Sequence, residues 1–144
     1  MKALLVAAAA ACVALLGPLP AAPPVSADAG AGAATTPSPP FIDHTLWMQS
    51  QGLPSLRVFP TPSGRVAARQ LGIADADEAW AEVLALSPDA DTAGMRAQFV
   101  CHWQFAELVQ PGKASWNLEP WRPVVDDAEM VASRCNPGGP EEGF

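Results

Sequence analysis

Basic side chains are scarce in this chain: 8 Lys and Arg stand against 15 Asp and Glu in 144 residues, a formal net charge of −7. The few that exist form no cluster, so phosphate backbones and anionic lipid surfaces are repelled, and nucleic acid is not expected as a partner. Also missing are a Gly-rich phosphate loop, a nucleophile elbow and a paired-carboxylate signature. Asp43 with His44 is the only candidate pair besides His102 and its carboxylates, no spacing recommends it as a metal set, and no metal or other cofactor is expected. After the N-terminal run, nothing approaches the roughly 18 to 20 apolar residues that span a bilayer, so the mature protein is expected to have no membrane span.

What is present begins with an address. Lys2 is followed by ALLVAAAAACVALLG and then by helix-breaking Pro18 and Pro20, the charged and apolar regions of a secretory signal. Val25 and Ala27 place small residues before a cut after Ala27, with a cut after Ala29 as the alternative. Residues 1–27 are therefore read as a signal peptide and the protein as secreted, or extracytoplasmic. Cys12 lies too early in the apolar run to become an acylated N-terminus. No twin arginine precedes that run, and cleavage would remove Lys2 and leave the chain more acidic still.

Residues 28–40, DAGAGAATTPSPP, hold no aliphatic larger than Ala and no period, and are read as a disordered tether. A single globular domain is expected over 41–137, with 138–144 as a flexible acidic tail. Its two cysteines, Cys101 and Cys135, are expected to pair in an oxidising compartment.

The domain reads as α+β and mostly helical. TLWM and SLRVF are β-prone runs either side of a QGLP turn, with Leu56 and Val58 on one face and Arg57 on the other, and so form a short hairpin. Thr61 as N-cap, Pro62 at the first helical position and Gly72 as terminator frame a helix. Asp75 and Glu78 offer a capping box for a second helix that turns Trp80, Val83 and Leu84 to one side and stops at Pro88. The segment around Phe99 is periodic as either strand or helix; a helix from Thr92 to Val109, ended by Pro111 and Gly112, is favoured, and its nearly all-round apolar surface makes it the central buried one. Asp126 with Glu129 form a second box, Val125 and Met130 a hydrophobic staple, and Asn136 before Pro137 suits the left-handed position after the last helix.

Phe99 to Pro123 concentrates the chemistry. Cys101 and His102 are neighbours, and neighbours point about 100° apart on a helix, so they cannot form a catalytic thiolate–imidazole pair. His102 is read as a buried imidazole on a backbone carbonyl or carboxylate, or else as a general base oriented by Glu107 or Glu119. In SWNLEPWRP, Glu119 and Arg122 each precede a proline, which stiffens the segment and puts Trp116, Glu119 and Arg122 on one edge. Trp116, Asn117, Glu119, Trp121 and Arg122 are the candidate binding residues, with either tryptophan able to stack on a sugar; alternatively Glu119 and Arg122 pair with each other and the tryptophans cover the central helix.

LPSLRVFPTPSGR, QFVCHWQFAE, SWNLEPWRP and CNP together resemble a family of small exported proteins from actinobacteria and related Gram-positive bacteria, catalogued as domain of unknown function 2599. The resemblance covers about Phe41 to Pro137 and implies an exported single-domain protein, without assigning an activity. The leading functional expectation is a cell-envelope binding module for a wall glycan or a protein partner. The alternative is a small extracellular hydrolase using His102 with Glu119 or Glu107, and Arg122 on a developing anion. A third possibility is a domain that docks into an envelope complex through an apolar patch.

Overall fold

Between Ser50 and Leu53 the chain reverses through Gln51 and Gly52, both at positive φ (49° and 81°), the twist that suits a tight hairpin. The computed structural model describes residues 36–70 and 73–139, so the expected signal peptide, most of the expected tether, Gly72 and most of the acidic tail lie outside the described residues. Strands β1 (Ile42–Ser50) and β2 (Leu53–Pro60) are longer than the two β-prone runs and pair antiparallel, Trp47 opposite Leu56 and Thr45 opposite Val58. A third strand, β3 (Trp116–Leu118), adds to β2 and completes a three-stranded sheet in the order β1-β2-β3. That strand replaces the expected polyproline-like edge.

Helix α1 (Pro62–Arg69) starts as its sequence dictates: Thr61 is extended and its hydroxyl accepts the Gly64 N–H at 2.9 Å, with Pro62 at the first turn. Gly64 is needed for packing, because a Cβ there would lie 2.1 Å from the Phe41 carbonyl oxygen. Ser38, at the end of the expected tether, exchanges two hydrogen bonds with Ser63: its N–H donates to the hydroxyl at 2.8 Å, and its carbonyl accepts from it at 2.6 Å. Folded contacts thus begin before Phe41.

Helix α2 (Ala76–Leu86) lacks the capping box expected of Asp75 and Glu78. Asp75 has helical φ and ψ (−88°, −10°), so its carboxylate makes no cap hydrogen bond. The buried side is as read, with Trp80 and Val83 inward and Leu84 half-buried, and Pro88 opens a single 3-10 turn. Helix α3 (Met95–Val109) starts three residues later than Thr92, because Gly94 takes a left-handed conformation at φ 84°. Helix α4 (Asp127–Ala132) is capped by Asp126, whose side chain accepts the Glu129 N–H, and Val125 packs with buried Met130. The left-handed residues in the turn directly after α4 are Arg134 (φ 55°) and Cys135 (φ 66°), with Gly138 (φ 85°) further on, and not Asn136. Cys135 is disulfide-bonded to Cys101 of α3 across a separation of 34 residues.

The core lies where one sheet face meets the helices. Leu56, Val58, Trp116 and Leu118 supply the sheet side; Phe41, Trp80, Met95, Phe99 and Trp103 supply the rest. Trp103 meets Trp116 and Phe41 edge-on, with ring centroids 6.0 and 5.7 Å apart. The protein is thus a small α+β domain, mostly helical, with one disulfide. No helix among the described residues is long and apolar enough to cross a membrane.

Candidate functional site

One edge of β3 pairs with β2; along its other edge lies α3. Gln98 and His102 stand one helical turn apart, a rise of about 6 Å. Alternate residues of a strand recur at about 6.7 Å, so two side chains on that helix can meet two successive outward-facing positions of β3. Gln98 pairs with Glu119 as a strand would, its Oε1 accepting the Glu119 N–H at 2.9 Å and its Nε2 donating to the Glu119 carbonyl at 3.0 Å. His102 Nε2 donates to the Asn117 carbonyl at 3.1 Å. Helix α3 therefore satisfies backbone groups that a sheet edge would otherwise leave unpaired.

This bond settles the His102 tautomer. A carbonyl only accepts, so Nε2 carries the proton and Nδ1 keeps the lone pair. Burial pushes the imidazole from its usual 6.5 down to about 3; the charges of Lys113 and Arg122 push the same way, and the bond to Asn117 opposes them. Above pH 6.5 the ring is neutral in folded and unfolded chains alike. Below it the unfolded chain binds a proton that the folded chain refuses, until about pH 3. Stability should therefore fall as pH drops through this window, by up to about 1.4 kcal/mol per pH unit from this group. Urea titrations of wild type and His102→Gln at pH 7 and 4.5 check it: the variant should lose less stability on acidification, whereas parallel losses would mean an ordinarily titrating ring.

Ser55, Arg57 and Asn117 alternate with the core residues of β2 and β3 and so lie on the other sheet face, yet all three are buried. Arg57 was expected on that face. Burial follows from a polar layer built over it. Glu119 Oε1 accepts from Ser55 Oγ at 2.9 Å, and Oε2 from Arg122 Nε at 2.6 Å. Arg122 Nη1 donates to the carbonyls of Pro137 and Gly139 at 3.1 and 2.9 Å, and its guanidinium lies 4.6 Å from the Trp121 ring centre. Ser115 Oγ donates to Asn117 Oδ1 at 3.0 Å. Of the candidate binding residues, Trp116, Asn117, Glu119 and Arg122 are buried and Trp121 half-buried. Trp116, with 0% exposure, is a core residue and offers no open face for a sugar. The SWNLEPWRP segment works as an internal clamp between the sheet and residues 137–139.

Glu107 serves a separate tie. Its carboxylate takes Arg65 and Arg69 from α1 and the Gly112 N–H at 3.3 Å, and Arg65 Nη2 also donates to the Lys113 carbonyl at 2.7 Å. His102 bonds to the Asn117 carbonyl, whereas the Glu107 carboxylate is taken by Arg65 and Arg69 and that of Glu119 by Ser55 and Arg122. His44 and Asp43 contact each other at 2.6 Å on the surface, and no group of three potential metal ligands occurs among the described residues.

Sequence reasoning missed a groove of about 700 Å³ between the C-terminal half of α3 and the turn after α4. Phe105, Ala106 and Val109 form its apolar α3 wall, with Val131 and Cys135 opposite; Lys113 and Arg134 add positive charge, and His102 contributes its ring. Asn136 lines the groove at 8% exposure: its Nδ2 donates to the Arg134 carbonyl, and its Oδ1 has no partner. The disulfide brings these walls together from positions about thirty residues apart, so no local pattern marks them. The only sequence trace is a basic residue beside Cys135 and a polar one after it.

Comparison with known proteins places these features in a family. Uncharacterised proteins of Mycobacterium bovis and Mycobacterium tuberculosis are each 65% identical over 148 aligned residues, covering the whole of both chains. One from Mycobacterium leprae is 59% identical over 99 residues, 69% of this chain and 80% of its own. No solved structure matches. The family model described as "Protein of unknown function (DUF2599)" matches residues 42–138, and the chain belongs to that family.

Proposed function

We propose that the protein is an exported, non-catalytic binding module of the cell envelope whose ligand seats in the groove between α3 and α4. The observation that carries this reading is the groove's composition: an apolar wall, two cationic side chains and a buried acceptor, Asn136 Oδ1, without a donor. Concave apolar surface with a few polar groups beside it is the usual form of a ligand site. Export is supported by the N-terminal signal pattern and by the Cys101–Cys135 disulfide, which persists in oxidising compartments.

The hydrolytic alternative has less support. Both Glu119 oxygens are engaged by Ser55 and Arg122, and Glu107 holds two arginines, which leaves neither to orient His102. The imidazole already spends its one N–H on Asn117.

Val109 gives a clean test, being 78% exposed and so replaceable at little cost to the fold. Purified protein incubated with isolated cell wall should be retained, and Val109→Glu, which sets a carboxylate against the groove, should lose most of that retention with an unchanged melting temperature. Equal retention of both proteins would remove the groove from the reading, and no retention of wild type would remove the envelope ligand.

A further inference from the structure

We infer that the outer edge of β1 is a self-association surface, where a second copy of the chain pairs its own β1 antiparallel about a two-fold axis at Trp47. No residue of β1 lines the groove, so the inference does not depend on it. The tight turn sets which backbone groups are spent. Ser50 and Leu53 flank it and exchange hydrogen bonds, so by alternation Met48, Leu46 and His44 bond to β2, while the N–H and C=O of Thr45, Trp47 and Gln49 point the other way. On β3 the same alternation turns Asn117 and Glu119 outward, and there His102 and Gln98 take their backbone groups. β1 has no such cover. Glu82 accepts the Phe41 and Ile42 N–H groups at 2.8 and 2.7 Å, which closes only the start of the edge. Among the described residues, no bond reaches the outward backbone groups of Thr45, Trp47 and Gln49.

Sheet edges are commonly guarded by Lys, Pro, a bulge or short length. Ile42–Ser50 runs for 9 residues without Lys, Arg or Pro, and its register shift lies at its start, between Ile42 and His44. Leu46 and Met48 stand on the sheet face away from the core, 49% and 39% exposed. The open stretch is thus apolar as well as unpaired. Its own sequence supplies the strand that fits. Pairing about Trp47 sets Trp47 against Trp47 of the second copy and Thr45 against Gln49, so outward groups meet outward groups. Leu46 then lies opposite Met48 of the second copy, twice by symmetry, and each covers the other. An axis at Thr45 would instead set Trp47 against Asp43, next to the start that Glu82 covers, and one at Gln49 would run Trp47 into the turn at Gln51. Charge agrees with the same register. Asp43 is the only acidic residue of β1, and it falls beside Gln51 of the second copy, about 27 Å along the strands from the other Asp43. An unrelated extended peptide would have to bring its own apolar pair at this spacing; β1 already carries it.

The test is light scattering and amide hydrogen exchange on the oxidised exported protein over a concentration series. The mass should double as concentration rises, and the Trp47 and Gln49 amides should exchange more slowly in step with it, while those of Leu46 and Met48, already bonded to β2, change little. Two exposed positions then fix the register. Leu46→Lys with Met48→Lys sets like charges opposite each other at both symmetric contacts, and should weaken pairing at least about tenfold although it lowers the net charge. Leu46→Glu with Met48→Lys sets opposite charges there, and should pair within about threefold of wild type. Both variants should match the wild-type melting temperature at low concentration, and the wild-type exchange pattern decides the question even where one does not. A wild type that stays monomeric at millimolar concentration overturns the inference; slow Trp47 exchange in that monomer would mean that another part of its own chain covers the edge. Doubling of mass without slower Trp47 exchange overturns it as well, since the contact then lies elsewhere. So does equal behaviour of the two variants, which would exclude the Trp47 axis.

Discussion

Replacing Glu119 by alanine is expected to destabilise the fold by about 3–5 kcal/mol, the range for breaking a buried ion pair from one side. Both side chains of the Glu119–Arg122 pair are fully buried, so the variant leaves a guanidinium in the interior without its carboxylate. Ser55 Oγ loses its acceptor in the same step. The loss should be specific to removing one member of the pair. Glu119→Leu combined with Arg122→Met removes both charges at similar volume, and should be markedly more stable than Glu119→Ala, because a buried pair replaced by apolar groups is often close to neutral. Arg122→Lys should not substitute, since an ammonium cannot reach Glu119, Pro137 and Gly139 with one rigid fork. Urea unfolding followed by tryptophan fluorescence measures all three. A cost below about 1 kcal/mol for Glu119→Ala would mean a solvated pair.

Why Glu119 and Arg122 read from sequence as a surface edge is instructive. Their neighbours are prolines and tryptophans, which do specify an extended segment, and the segment is extended. What places them indoors is Ser55, more than sixty residues earlier, and the carbonyls of Pro137 and Gly139. Strand β3 escaped notice for the same reason: three residues carry no period, and they become a strand only because β2 offers an edge.

Features set by nearby residues were more legible. Thr61 and Pro62 start α1, and Asp126 caps α4, each by a bond within three residues. The limit of this grammar shows in Asp75, which precedes Glu78 with the same spacing as Asp126 precedes Glu129. Asp126 has ψ 171°, extended, and its carboxylate reaches the N–H; Asp75 has ψ −10° and makes no such bond. Backbone conformation, not residue type, separates the two. The disulfide was readable because the two cysteines of the expected domain have one pairing open to them. For His102 the sequence left two readings, and the choice between them lay in a strand edge that sequence did not reveal. The groove was invisible, since its walls lie about thirty residues apart and meet beside the Cys101–Cys135 bridge.

That bridge leads to the second large effect. Cys101→Ala with Cys135→Ala is expected to lower stability by about 4 kcal/mol, the chain-entropy value for a loop of 34 residues. Reductant should shift the wild-type melting temperature in the same direction and leave the variant unmoved. Local consequences should exceed the global one. Residues 134–139 are tied to the rest of the fold by the disulfide, by bonds from the N–H groups of Arg134, Cys135 and Asn136 to the carbonyls of Val131, Met130 and Ser133, and by Arg122. Removing the first should raise amide exchange at Cys135 and Asn136 well before α3 opens. The disulfide and the Glu119–Arg122 pair also anchor the same short segment, so their losses should not add: Glu119→Ala in the cysteine-free background should cost measurably less than in the bridged protein, because the 137–139 carbonyls that orient Arg122 are already loosened. Strict additivity would mean that the bridge and the clamp stabilise the fold independently, and that the groove wall does not rely on both.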